Sequence, residues 1–181
     1  MDPERSLSPQ ERDHLANLLK TAEDPVALGW TLLTDVSLPN NIWQAIYCFQ
    51  RAAKKGCPDG QCSLGRMFEE GRGFEQDGAD AADWYRKAAE QGHAEAQHRL
   101  GALYAYNQEV PKDYEEALRW FHLAAEQGYA WGECDIGIMH EFGHGVSQDL
   151  DKAVAWFEKA ALRGNGVARS KLSLHRKSRV E

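Results

Sequence analysis

The chain has 181 residues, 43% of them hydrophobic, which suffices for one ordinary domain or a short array of repeats. Its formal charge of −7 argues against a nucleic-acid binder that neutralises phosphates. No apolar run approaches the ~18 residues of a membrane span, so no membrane insertion is expected, and the opening "MDPERSLSPQERDH" lacks the apolar segment of a secretory signal.

The first predicted element lies within residues 1–23. Ser8-Pro9-Gln10-Glu11 is a capping-box pattern with proline at the first helical position. Leu15, Leu18, Leu19 and Ala22 then supply an apolar face, so this helix is expected to cap whatever follows.

From residue 24 the sequence keeps a beat of 36 residues, through segments 24–59, 60–95, 96–131 and 132–167. Each contains a Leu-Gly or Ile-Gly pair (Leu28–Gly29, Leu64–Gly65, Leu100–Gly101, Ile136–Gly137). Each has an amide or carboxylate (Asn41, Asp77, Asp113, Asp149) followed four residues later by alanine, and each carries "AAKKG", "AAEQG", "AAEQG" or "AALRG" three residues before its end. Aromatic pairs stand at Trp84–Tyr85, Trp120–Phe121 and Trp156–Phe157, with Cys48–Phe49 as the first copy.

The third segment shows what the pattern means. Ala96, Leu100, Leu103 and Tyr104 fall on one helical face. Asp113 is placed to cap a second helix, which carries Ala117, Trp120, Phe121, Ala124 and Ala125 inward and stops at Gly128. Each repeat is therefore a short helix A, a loop, a longer helix B and a glycine stop. One such hairpin cannot cover its own apolar face, but stacked hairpins can. The mid-helix glycines cost ~1 kcal/mol each relative to alanine, so their regular return implies a close approach by a neighbouring helix. Trp84, Trp120 and Trp156 are expected in the core.

The last element, residues 168–181, keeps the leucine phase at Leu172 but has Ser173 for glycine and puts Arg176 on the core stripe, as a capping helix does. Residues 162–181 carry a net +5, leaving −12 in residues 1–161.

The stretch from Ile136 to Gly164, "IGIMHEFGHGVSQDLDKAVAWFEKAALRG", reads almost in full the pattern LGxMxExGxGVxxDxxKAxxWxxKAAxxG. It resembles the Sel1-like repeat family, α-solenoids akin in shape to tetratricopeptide repeats, and the resemblance covers about four-fifths of the chain. It implies an all-α, right-handed α-solenoid of stacked helix-turn-helix repeats between N- and C-terminal capping helices, with helices A lining the concave side. It also implies a non-enzymatic role in binding other proteins, as adaptor, scaffold or inhibitor, a bacterial immunity protein that plugs a toxin among them. The first repeat departs with "TDVSLPNN" and the third with "YNQEVPKD" where the others have a GxG loop.

Two motifs point elsewhere. "HEFGH" at His140–His144 matches the H-E-x-x-H of zinc hydrolases, which requires both histidines on one continuous helix. In the repeat register His140 takes the core-stripe position of Leu32, Phe68 and Tyr104, and Gly143 ends the helix before His144. "CPDGQC" contributes Cys57 and Cys62 without a second pair to complete a metal site. No metal or cofactor is expected. The four cysteines show no repeated pairing, and a reducing cytoplasm suits them.

The candidate binding residues lie on helix A opposite its core stripe, where the copies differ: Trp30 and Leu33; Arg66 and Glu69; His98, Arg99 and Tyr106; Asp135, Ile138 and Phe142. Aromatic anchors among polar neighbours suit a protein surface. The competing reading is that some of these residues contact the next helix A. Tyr129 and Trp131, from "GYAWGE", add two aromatics at a turn. The expected partner is a protein or peptide, with a basic one suiting the negative charge.

Overall fold

The computed structural model describes residues 6–35, 37–38 and 40–178, except the side chains of Lys177 and Ser178. Residues 1–5 of the N-terminal element and Arg179–Glu181 of the basic tail lie outside the described residues. Ten described helices follow in order: α1 (Pro9–Thr21), α2 (Pro25–Thr34), α3 (Asn41–Lys54), α4 (Pro58–Glu69), α5 (Gly78–Ala89), α6 (Ala94–Tyr106), α7 (Tyr114–Glu126), α8 (Ala130–Phe142), α9 (Leu150–Leu162) and α10 (Gly166–Ser178). No strand occurs among the described residues. The chain forms two compact units, Met1–Gln91 and Gly92–Glu181.

In the first unit α1 begins with the predicted capping box. The Ser8 hydroxyl accepts from the Glu11 amide at 3.2 Å, and the Glu11 carboxylate accepts from the Ser8 amide at 2.8 Å. The bond from the Ser8 amide, with others from the Ser8 and Asn40 side chains, holds the Glu11 carboxyl below the usual carboxylate range. Leu15 is buried with Leu32, Tyr47 and Cys48, so α1 covers the outer face of the first repeat. Trp43 packs at the edge of this cluster and edge-on against Phe74, 6.1 Å between centroids.

In both units helix A meets helix B at the mid-helix glycine. A Cβ built on Gly29, Gly65, Gly101 or Gly137 would lie 2.5–2.7 Å from the ring of Phe49, Tyr85, Phe121 or Phe157 respectively, well inside contact distance. Each glycine is the seat of the one fully buried aromatic of its repeat. This corrects the expectation for tryptophan. Trp84, Trp120 and Trp156 are only half-buried. Lys87 lies 3.9 Å above the Trp84 ring and Lys159 4.0 Å above Trp156, so these rings carry a cation on a half-exposed face.

The loops follow their glycines. Gly71 and Gly73, and Gly143 and Gly145, all adopt positive φ, which only glycine takes without strain. The third repeat, lacking the glycines, uses Asn107 instead: its side-chain oxygen accepts from the Glu109 and Val110 amides at 2.7 and 3.2 Å. Asp77, Asp113 and Asp149 cap α5, α7 and α9 as expected. Asn41 does not cap α3. It is the helix's first residue, behind Asn40 in the left-handed conformation, and its amide donates to the carbonyls of Leu33 and Asp35 at 3.3 and 3.2 Å.

The repeated "AAEQG" has a second purpose beyond its glycine stop. Gln91 donates to the buried Gln61 at 2.7 Å, and Gln127 donates to the buried Gln97 at 2.8 Å. In the last repeat Arg163 replaces the glutamine and Glu133 replaces its partner, and they pair at 3.0 Å. Each rung ties the end of helix B to the start of helix A and satisfies a polar group that burial would otherwise leave unpaired.

At the C-terminal end Ala168 and Leu172 pack on α9 with Phe157 and Ala160. Arg176, assigned by register to the core stripe, is exposed instead, because no further helix B covers that face of α10 among the described residues.

Candidate protein-binding face

The helix-A residues are described unit by unit. In the first unit Trp30 packs against Phe49 with centroids 5.0 Å apart, and the Arg66 guanidinium covers its ring at 4.4 Å. Arg66 also reaches Glu70 at 3.6 Å, and Glu69 accepts from the Tyr85 hydroxyl at 2.5 Å. Leu33 is 4% exposed and belongs to the core with Val26, Ile46 and Phe49. It is therefore a packing residue and not a surface anchor, since the stripe of α2 that faces inward is wider than the register suggested.

In the second unit the candidate residues form a cluster. His98 on α6 bonds through Nε2 to Asp135 on α8 at 2.8 Å, and the Tyr106 hydroxyl donates to the other Asp135 oxygen at 3.1 Å. Burial, and next the Asp135 charge, push the Tyr106 hydroxyl well above its ordinary pKa, so it stays a donor. The His98 ring lies 5.4 Å from Tyr129 and 6.4 Å from Trp131. Trp131 is not in a turn but in the first turn of α8. Arg99 bends back to Glu95 on its own helix at 2.8 Å.

Ile138 packs against the Cys134 and Leu172 cluster. Phe142, at the end of α8, has the Lys171 ammonium 5.1 Å over its ring, and the neighbouring Glu141 holds Lys171 at 2.6 Å and His175 at 3.2 Å. Thus part of the face does serve contact between successive helices A. What remains outward is aromatic: Tyr106, Trp131 and Phe142 are 45%, 48% and 56% exposed.

Sequence reasoning missed how much of this face is spoken for. The His98–Asp135 bond joins residues one repeat apart, and the one sign of it was complementary polarity at offset positions in successive copies.

The HEFGH stretch does not form a one-face histidine pair. α8 ends at Phe142, Gly143 turns the chain with φ of 71°, and His144 stacks on Tyr114 at 4.5 Å. The four cysteines are free thiols, with Cys48, Cys62 and Cys134 buried and Cys57 half-buried. Burial pushes Cys48 and Cys134 up to about 12, the Asp135 charge adding to the effect at Cys134. Less thiolate is then available at neutral pH, and thiolate is the reactive form. With a chromogenic disulfide reagent, Cys57 is expected to react in the native protein and the other three only on unfolding. Four thiols reacting at one common rate in the native state would contradict this.

The Sel1 repeat model matches residues 27–57, 58–93, 94–129 and 132–165. The chain belongs to the Sel1-repeat family. Among solved structures it is similar to a protective antigen present in uropathogenic Escherichia coli strains, with 34% identity and a TM-score of 0.79 over 88% of this chain and 35% of that one. It is also similar to a Sel1 repeat protein from Oxalobacter formigenes, with 31% identity and a TM-score of 0.75 over 82% of this chain and 60% of that one. Helicobacter pylori cysteine rich protein B shares the fold, with 24% identity and a TM-score of 0.54 over 68% of this chain and 94% of that one. The chain thus spans about a third and three-fifths of the first two proteins. No curated protein matches it. No helix of the described residues is long and apolar enough to cross a membrane.

Proposed function

We propose that this chain is a non-enzymatic protein-binding module whose working surface in the second unit is the α6–α8 face, serving as adaptor, scaffold or inhibitor. The observation that carries the reading is the exposure of Tyr106, Trp131 and Phe142, with Tyr106 bonded to Asp135 and Phe142 under Lys171. Trp131, Asp135, Ile138 and Phe142 recur every three or four residues along α8, on one face. Aromatic anchors of this kind commonly dominate an interface. The basic partner inferred from net charge has weaker support. Asp135 and Glu141, which would recruit it, already hold His98 and Lys171. Aromatic contact is the recognition this face offers. Free thiols suit a reducing compartment such as the cytoplasm.

The test is a binding titration and a melting curve for each variant against a partner recovered with the intact chain. Alanine at Trp131, Tyr106 or Phe142 is expected to weaken binding roughly tenfold or more, ~1.4 kcal/mol per factor of ten, with little change in melting at Trp131 and Phe142 and a lower melting temperature at Tyr106, whose hydroxyl serves the buried Asp135. Normal binding by all three, with loss on substitution of outward residues of α7 such as Leu123, would move the site to the helix-B side.

A further inference from the structure

Lys55, Gln91, Gln127 and Arg163 share one register position, just past the end of helix B, and Pro25, Gln61, Gln97 and Glu133 share another, at the start of helix A. In the later repeats the two side chains bond to each other, as Gln61–Gln91, Gln97–Gln127 and Glu133–Arg163. In the first repeat the proline has no polar group to offer, and Lys55 has no side-chain partner among the described residues. Lys54 beside it, where the next two repeats have Glu90 and Glu126, has none either.

Lys55 borders a cavity of about 220 Å³ in the first unit, between the end of α1, the start of α2 and the end of α3. A furrow recurs at this register, as between α7, α8 and α9, where Glu126 and Glu133 balance Lys159 and Arg163. The first furrow differs in charge. Lys20, Arg51 and Lys55 line it, over Leu19, Pro25 and Ala52, and no acidic residue does. Lys20 donates to Asn17 at 3.1 Å, and Arg51 has only the Tyr47 ring, 6.0 Å away, among the described residues. Asp24, next to Pro25, turns its carboxylate to the Val26 and Ala27 amides at 2.8 and 3.0 Å. Elsewhere in this unit Arg66 and Arg72 reach Glu70 at 3.6 Å, and Arg86 reaches Asp83 at 2.8 Å. Cations also suit a helix C-terminus, but α7 ends with no basic residue in its last turn, so a helix B of this fold does not require them.

We propose that this basic furrow binds a glutamate-rich segment of a partner protein, whose carboxylates meet Lys20, Arg51 and Lys55 while their methylene stems lie on Leu19 and Ala52. Cations carried on two helices call for several separate anions and not for one compact dianion. No large apolar side chain of the first unit stands exposed among the described residues, so neither a lipid surface nor an apolar helix finds an anchor beside the furrow. The chain as a whole carries −7, which confines the attraction to this patch and leaves it open to screening by salt. The site is independent of the aromatic face of the second unit, and either reading can fail without the other.

The probe is a fluorescein-labelled hexaglutamate peptide, titrated with the full chain by anisotropy. It is expected to bind saturably at about 20 mM salt and to be released at about 500 mM. Arg51→Glu and Lys55→Glu should each weaken binding roughly fivefold or more. Lys112→Glu, an equal change of charge at an exposed position of the second unit, should leave it within about twofold. Pro25→Glu gives Lys55 the partner it lacks and should weaken binding as Lys55→Glu does. Arg51 and Lys55 are exposed, so their variants should melt with the parent. Trp131→Ala should bind the peptide normally, which separates this site from the aromatic face. Absence of saturable binding, or an equal loss on Lys112→Glu, would overturn the proposal. So would binding that survives Lys55→Glu and is lost on Arg176→Glu, which would put the peptide on the basic C-terminal segment. Displacement by inorganic phosphate at constant ionic strength, or sedimentation with anionic phospholipid vesicles that Lys55→Glu abolishes, would replace the acidic segment with another ligand and overturn it as well.

Discussion

Phe121→Ala is expected to unfold the second unit at temperatures where Trp120→Ala leaves it folded. Phe121 is fully buried, and its ring lies where a Cβ on Gly101 would sit, with 2.7 Å separating them. Removing it empties a seat that glycine cannot refill, so the transfer and cavity costs both fall due, ~3–5 kcal/mol. For a unit of this size that is a drop of roughly 15–30 °C in melting temperature. Trp120 is half-buried and gives up only part of its area, about 1–2 kcal/mol.

The converse substitution, Gly101→Ala, adds a Cβ 2.7 Å from the Phe121 ring and 3.0 Å from the Ala117 carbonyl. Its overpacking cost of ~1–3 kcal/mol outweighs the ~1 kcal/mol gained in helix propensity. In the double variant the ring clash is gone, so the two costs should sum to less than their separate values. Thermal and urea unfolding of the three variants decide the matter. Equal destabilisation by Phe121→Ala and Trp120→Ala would refute this account of the core.

Arg163→Ala is expected to cost roughly 2–3 kcal/mol, although the arginine side chain is 53% exposed. Its partner Glu133 is 3% exposed, and one carboxylate oxygen has no hydrogen-bond partner among the described residues. Losing the guanidinium leaves a buried charge unpaired, which is the expensive way to break such a pair. The double variant Glu133→Gln with Arg163→Gln should recover to within about 1 kcal/mol of the parent, because it rebuilds the amide pair seen at Gln61–Gln91 and Gln97–Gln127. A double-mutant cycle measured by urea unfolding checks both statements. If Arg163→Ala were neutral, the rung would be decoration and not a tie between helices.

The periodic part of this molecule was open to sequence reasoning because each marker answers a local demand. A stop glycine is needed wherever helix B ends, and Gly56, Gly92, Gly128 and Gly164 all adopt positive φ. A carboxylate before α5, α7 or α9 finds free amides whatever surrounds it. The candidate face was legible only in part. Tyr106 and Phe142 stand out in the sequence as variable aromatics of helix A, and Trp131 as an aromatic at a turn; all three are outward. Leu33 was picked out by the same rule and is core, because register says which way a residue points on its own helix but not which neighbouring helix arrives there.

The sequence by itself determined the all-α class, the order of the helices from α1 to α10, the 36-residue repeat and the family, since helix periodicity, caps and glycine stops depend on residues near one another in the chain. Only the tertiary structure decided which aromatic of each pair fills the core. Tyr85, Phe121 and Phe157, and not the tryptophans beside them, fit edge-on against a bare glycine backbone. It also decided which charges were free to meet a partner. His98 with Asp135, and Glu141 with Lys171, each join residues 30 or more positions apart, and a pairing between separate helices is set by their packing and not by either helix's own sequence.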